Sequence, residues 1–206
     1  MGDYLKNYIY KDKDLHSMLA RTHVATLEQC KTFMGERRLQ SHIKEGYIEE
    51  VSLTIKNRGI KEGHTLYRLT DEGKELAREK AGVASFYASN SARHDIAVSQ
   101  AYVELYKKDS SLVSNWVTEN DIKTMLQEKV LELREQGRDY QANRMEEGIR
   151  QGKFSACDGG YIDEEGELHA IEIISRHYKE ETIEAKARTL RVLNVKQENY
   201  EETYID

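Results

Sequence analysis

Apolar positions along the first 82 residues come in short helical bursts and then in strict alternation. Leu15, Met18 and Leu19 lie three and four apart and predict one face of a helix. A second helix opens at Ala25 or Thr26 and runs through Phe33. A third opens at Gly35, with Leu39 and Ile43 four apart on its inner face and Tyr47 closing it. Val51, Leu53 and Ile55 alternate as a strand, and Lys56 to His64 forms a basic, glycine-flanked tip. Thr65 to Thr70 returns as a second strand, and Thr70 or Asp71 caps a helix over Glu72–Lys80.

The pattern changes after residue 90. Ala92–Lys107 predicts a helix with Ile96, Val103 and Tyr106 on one side and Val98, Tyr102 and Leu105 on another. A helix apolar around so much of its girth is buried. Leu112 to Val117 reads as a strand. Thr118 to Asp121 caps a long helix with Ile122, Met125, Leu126, Val130 and Leu133 inside, ending at Gly137. Residues 137–153 read as a polar insertion carrying Arg138, Arg144, Arg150 and Lys153. Two apolar strands follow, Phe154–Tyr161 and His169–Ile174, joined by the turn signal Asp163-Glu164-Glu165-Gly166. A helix over Glu180–Leu193 turns Ile183, Ala187, Leu190 and Leu193 inward, and residues 194–206 form a polar, acidic tail.

Each of the two apolar strands carries one carboxylate in its middle, Asp158 and Glu172. A hairpin centred on Glu165 sets them opposite one another on the same face. Two buried carboxylates side by side repel, and each costs several kcal/mol of desolvation unless a cation lies between them. A divalent metal, Mg²⁺ or Mn²⁺, is one such cation. Arg176, Lys186 or Arg188 is another. His94 and Asp95 read either as a third ligand and a base or as the start of a helix, where the dipole favours Asp. His169 and His177 flank the second strand and read as surface positions.

Composition narrows the function classes. With 38% hydrophobic and 33% charged residues, the chain is polar, and nothing in it approaches a membrane span of ~20 apolar residues. The charged start has no signal-peptide core, and Cys30 and Cys157 show no metal-ligand spacing or disulfide framework, so a cytoplasmic setting is expected. A net charge of −6 argues against a protein that coats nucleic acid. Residues 1–90 nevertheless hold 15 Lys and Arg against 13 Asp and Glu, while the remainder holds 16 against 24. The cations of the first part gather on the outer face of the third helix, as Arg37, Arg38 and Lys44 beside Gln40 and Ser41. Lys56, Arg58 and Lys61 add to them at the tip. Such a surface suits a polyanion such as double-stranded DNA.

The run Arg37-Arg38-Leu39-Gln40 with Ile43, then Gly46-Tyr47-Ile48, then Tyr67-Arg68-Leu69-Thr70-Asp71-Glu72-Gly73-Lys74, resembles a winged helix-turn-helix. The later order resembles the restriction-endonuclease-like nucleases, whose motif is an Asp followed by Glu-x-Lys. Asp158 and Glu172 fit the two acids, and Ile174 stands where the Lys is expected. Some such nucleases place the Lys on the following helix. Lys186, three residues after Ile183 and four before Leu190, is the matching position. Both parts together, over most of residues 12–190, are similar to the replication-relaxation family and to plasmid relaxases with a nuclease-like domain. That resemblance implies an α+β chain with a winged helix over 1–84 and a restriction-endonuclease-like domain over 85–206. Those families usually continue with a further strand after the last helix, and this chain departs from them by ending in an acidic tail, which favours a non-catalytic regulator. The function it implies is sequence-specific DNA binding in plasmid or phage replication or mobilisation, with metal-dependent nicking or cutting through Asp158, Glu172 and Lys186. The implied setting is a mobilisation or replication complex and a homodimer. A nicking enzyme that stays attached needs a nucleophile, for which Tyr161 and Tyr178 lie nearest in sequence. The competing reading is a non-catalytic regulator whose second domain serves dimerisation or partner binding.

Overall fold

The computed structural model describes residues 7–57, 60–89, 91–176 and 178–205, with the side chains of 55–62 also left undescribed. The chain is mixed α and β, with two separate sheets. It divides into two compact units at Lys108/Asp109, and not at residue 84/85. The reason is the helix Ala92–Lys108, which is stitched to the N-terminal unit by polar side chains. Gln29 Nε2 donates to the Ile96 carbonyl at 3.0 Å, Ser99 Oγ to Thr22 Oγ1 at 2.8 Å, and the Tyr106 hydroxyl to Asp14 at 2.9 Å.

The N-terminal unit runs α1 (Tyr10–Thr22), β1 (Ala25–Thr26), α2 (Leu27–Lys31), α3 (Glu36–Lys44), β2 (Ile48–Asn57), β3 (Ile60–Leu69), α4 (Asp71–Ala81) and α5 (Ala92–Lys108). Its sheet has the order β1-β3-β2, all antiparallel. Thr26 and Gln29 cap α2 reciprocally, and Thr70 caps α4 by accepting the Gly73 N–H at 3.0 Å. Leu15, Met18, Phe33, Leu39, Ile48 and Leu66 close the core without solvent exposure beyond 2%. Gly73 is forced by space, since a Cβ there would meet the Tyr47 carbonyl oxygen at 1.9 Å.

The C-terminal unit runs β4 (Trp116–Thr118), α6 (Glu119–Glu135), α7 (Asp139–Arg150), β5 (Gly159–Ile162), β6 (Leu168–Ser175), α8 (Glu180–Val192) and β7 (Tyr200–Ile205). The sheet order is β4-β5-β6-β7; the first three strands are antiparallel, and β7 lies parallel to β6 after the α8 crossover. The core gathers Val117, Ile122, Ala156, Leu168 and Ala170 on one side and Leu126, Val130, Leu133, Ala142 and Met145 on the other.

Several expectations change. The stretch 137–153, read as a polar insertion, holds a helix packed on α6: Ala142, Met145 and Gly148 recur every third residue and are buried. Leu112–Asn115 is a 3₁₀ turn, so β4 is only three residues long. The strand expected from Phe154 begins at Gly159, because the Ser155 N–H and the Ala156 carbonyl bond to α8 instead. On α8 the buried positions are Ala185, Lys186 and Thr189, while Ile183 is 51% exposed. The acidic tail, whose structure the sequence pattern leaves open, forms β7. Among the described residues, no helix is long and apolar enough to cross a membrane.

Candidate functional site

The β5–β6 register pairs Gly159 with Ile171 and Ile162 with Leu168, a hairpin centred on Glu165. Continued by one residue, it sets Asp158 opposite Glu172. The close approach of strands here depends on Gly159-Gly160: a Cβ on Gly160 would lie 2.1 Å from the His169 carbonyl oxygen. Asp158 is 8% exposed and Glu172 is fully buried. Asp158 is fixed by two backbone bonds, its N–H donating to the Ile171 carbonyl at 3.1 Å and its Oδ2 accepting the Ile173 N–H at 2.7 Å.

Helix α8 brings Lys186 onto this pair. Its ammonium lies 2.5 Å from Glu172 Oε1 and 3.8 Å from Asp158 Oδ1, and donates to the Ala156 carbonyl at 2.9 Å. Lys186 is 5% exposed, which an unpaired ammonium would not tolerate. The Tyr178 hydroxyl donates to Glu172 Oε1, and its ring lies 5.6 Å from the Lys186 ammonium. Glu172 Oε2 is buried with no hydrogen-bond partner.

The electrostatics follow from this packing. Burial and the neighbouring Asp158 charge push the Glu172 carboxyl up to about 7, against the opposing pull of Lys186 and Tyr178. Burial also raises the Tyr178 phenol and the Cys157 thiol, each raised further by Glu172. A carboxyl that titrates near neutrality beside a cation and a second carboxylate can gain or lose a proton at modest cost. Asp158, Glu172 and Lys186 are thus together. Among the described residues, no group of three or more His, Cys, Asp or Glu side chains is arranged to hold a metal ion.

The other candidates have local roles. Arg188 pairs with Glu184 at 2.7 Å. His169 Nε2 donates to Asp163 Oδ2 at 2.8 Å, and its ring stacks on Tyr161 at 4.6 Å between centroids, pinning the hairpin turn. His177 lies outside the described residues. Asp95 belongs to the N-terminal unit: it is fully buried, bonded to Ser89 and 2.7 Å from His23 Nδ1. This anchors the start of α5 to the end of α1.

On α3, Arg37 and Lys44 are exposed, and Gln40 and Ser41 half-buried. Gln40 donates to Glu50 at 3.3 Å and Ser41 to the Arg37 carbonyl at 3.2 Å. Arg38 is engaged elsewhere: its guanidinium clamps Asp12 through both oxygens and reaches the Asn7 carbonyl at 2.7 Å. It is the outer end of a buried chain that sequence reading missed. Asp12 meets His42 Nε2 at 2.9 Å, and His42 Nδ1 meets His16 Nε2 at 3.1 Å. With Asp12 accepting, His42 donates through Nε2 and accepts through Nδ1 from His16. Burial pushes Asp12 up, but Arg38, the Ile9 N–H and His42 outweigh it and hold it below the usual carboxylate range. Burial and His42 push His16 down to about 3. The available signal was spacing: Asp12 and His16 are four apart on α1, and Arg38 and His42 four apart on α3. The side chains of Lys56 and Lys61, and Arg58 altogether, lie outside the described residues.

No family model matches the chain, and neither a curated protein nor a solved structure does.

Proposed function

We propose that this chain is a sequence-specific DNA-binding protein of a mobile element, acting in replication or mobilisation, that nicks or cuts DNA with Mg²⁺ or Mn²⁺. The observation that carries the reading is the gathering of Asp158, Glu172 and Lys186 at 2.5 and 3.8 Å in one buried cluster. Its framework supports the same reading. Three antiparallel strands, a crossover helix and a parallel fourth strand, β7, support a restriction-endonuclease-like reading of this unit. The succession of α1, β1, α2, α3, β2, β3 and α4 supports a winged helix, in which α3 meets the major groove and the β2–β3 tip meets phosphates.

The donor set is all carboxylate oxygen, which suits Mg²⁺ or Mn²⁺, and the partnerless Glu172 Oε2 is the oxygen left for such an ion. Asp158 and Glu172 would hold it. When bound, it supplies Lewis-acid polarisation of the phosphate and a lowered pKa for bound water. The Ile173 N–H orients Asp158, and the Tyr178 hydroxyl holds Glu172 by Oε1 so that Oε2 faces away from the bond. The Lys186 ammonium, fixed in a site shielded from water, offsets negative charge developing on the scissile phosphate. Base reading falls to Arg37, Gln40, Ser41 and Lys44, since Arg38 is held by Asp12.

The test is relaxation of supercoiled plasmid with Mg²⁺, with Mn²⁺ and with EDTA. Nicking by the wild-type chain, lost in EDTA and in Asp158→Asn, is expected. The competing reading is a regulator with an inert second unit, and the tight Glu172–Lys186 ion pair favours it, because the cluster is already neutralised from within. It stands if no plasmid is nicked and if millimolar Mg²⁺ or Mn²⁺ leaves the melting temperature unchanged.

A further inference from the structure

The C-terminal unit holds a cavity of about 680 Å³ between α6, α7 and α8, separate in its lining from the carboxylate cluster. Its floor is apolar, formed by Leu133, Met145 and Phe154. Tyr140 lines it while remaining 77% exposed. Its charged lining includes Arg138, Arg144 and Lys153, with Glu147 as its one carboxylate. Residues 91–206 contain 24 Asp and Glu against 16 Lys and Arg, yet the acidic neighbours of these three are committed to other cations. Glu146 pairs with Arg134, Glu147 with Arg150, and Glu184 with Arg188. Arg138 reaches the Gln136 amide oxygen at 3.4 Å, and none of the three lining cations forms an ion pair among the described residues, although at longer range Arg138 acts on Glu132 and Lys153 on Glu147. Arg150, in the same arginine series by sequence, is not part of the lining.

We infer that this cavity is a binding site for a nucleotide of unpaired nucleic acid, with the base on Tyr140 and Phe154 and the phosphate on Arg138, Arg144 and Lys153. An apolar floor with an exposed aromatic takes a planar base, and uncommitted cations above it take the phosphate ester. The site is linked to the cluster by its own backbone. Lys153 and Phe154 lead through Ser155 to Ala156, whose carbonyl binds Lys186, and the Arg188 guanidinium reaches the Lys153 carbonyl at 3.4 Å. A strand seated here is therefore held by the same segment and helix that build the Asp158–Glu172–Lys186 cluster. The inference deepens the reading of the chain as one that acts on DNA, but it does not require cleavage.

The experiment is fluorescence anisotropy of the full chain with a labelled single-stranded deoxyadenylate tetramer at low salt. Tyr140→Ser and Arg144→Ser change exposed side chains and should each weaken binding about tenfold, with Trp116 fluorescence unchanged. Arg191→Ser, on the exposed side of α8 and outside the lining, should bind like the wild type. Equal affinity in all four proteins overturns the site. Displacement of the tetramer by inorganic phosphate as readily as by deoxyadenosine monophosphate overturns the base contact, and stronger displacement by hexaglutamate makes the cavity a peptide site. Absence of nicking with intact tetramer binding removes the nuclease reading and leaves this one. Nicking with no dependence of binding on Tyr140 or Arg144 does the reverse.

Discussion

At the scale of single residues, burial and the neighbouring Asp158 set the protonation of Glu172. Its folded pKa of about 7 lies above the ordinary value of 4.5. The folded chain therefore binds a proton that the unfolded chain releases. The associated stability is fully present below about 4.5 and is lost as pH rises through about 7. A divalent ion on Glu172 must displace that proton, so the rise in melting temperature with Mn²⁺ should be larger at pH 8 than at pH 6. Calorimetric melts at the two pH values check this; an equal rise at both, or the same rise in Glu172→Gln, rules out Glu172 as the ligand. Lys186 is under the same constraint. Its removal leaves two facing carboxylates in a buried pocket, and loss of one partner of a buried ion pair costs about 3–5 kcal/mol. Lys186→Met should thus unfold earlier in urea, while Lys186→Met with Glu172→Gln should regain part of that loss. If the double variant is no better than the single one, the ammonium does not hold the cluster together.

At the scale of elements, β7 is where the chain's alternation is weakest and its consequence largest. Tyr200-Glu201-Glu202-Thr203-Tyr204-Ile205 reads as a polar tail because none of these residues is buried and the half-buried ones, Tyr200, Thr203 and Ile205, do not alternate. It aligns in parallel with Ala170–Ser175, and Tyr200 packs against the core beside Leu168. Truncation after Asn199 should expose the β6 edge, lower the melting temperature and promote self-association in gel filtration. An unchanged melt would mean that β7 contributes nothing to the sheet. The hairpin of Asp158 and Glu172 was legible because both strands are apolar and the turn between them is short. So were the caps at Thr70 and Thr118, whose hydroxyls mark helix starts locally. Helix α7 was not legible, since its three buried small or flexible residues sit among charges. The phase of α8 was misread for a related reason. Ile183 is apolar yet exposed, while Lys186 and Thr189 are polar yet buried, so the helix obeys the site and not the average hydrophobicity. The Arg38–Asp12–His42–His16 chain was hidden because each member is a common surface residue until the two helices meet.

At the scale of the whole molecule, the two units carry buried titrating groups of opposite sign. In the N-terminal unit, burial holds His16 at about 3, below its usual 6.5. The unfolded chain binds that proton first, so stability is present above 6.5 and lost as pH falls from there toward 3, by up to about 1.4 kcal/mol per pH unit for one proton. Asp12, held below the carboxylate range, adds a loss in the same direction at lower pH. Glu172 in the C-terminal unit does the opposite over pH 7 to 4.5. The chain has a single tryptophan, Trp116, which lies in β4 of the C-terminal unit and reports that unit alone. Between pH 7 and 5, the Trp116-detected melt of Glu172→Gln should lose ground more steeply than that of the wild type, because the variant forgoes the proton gained on folding. His16→Gln keeps a donor for His42 and should flatten the pH dependence of the N-terminal melt, followed by NMR of α1 amides, without moving the Trp116 transition. Each variant thus has a transition it must shift and one it must leave in place. Identical shifts in both transitions would mean that the units unfold as one cooperative body. The opposing linkage would then cancel within a single stability and could not act on the two units separately.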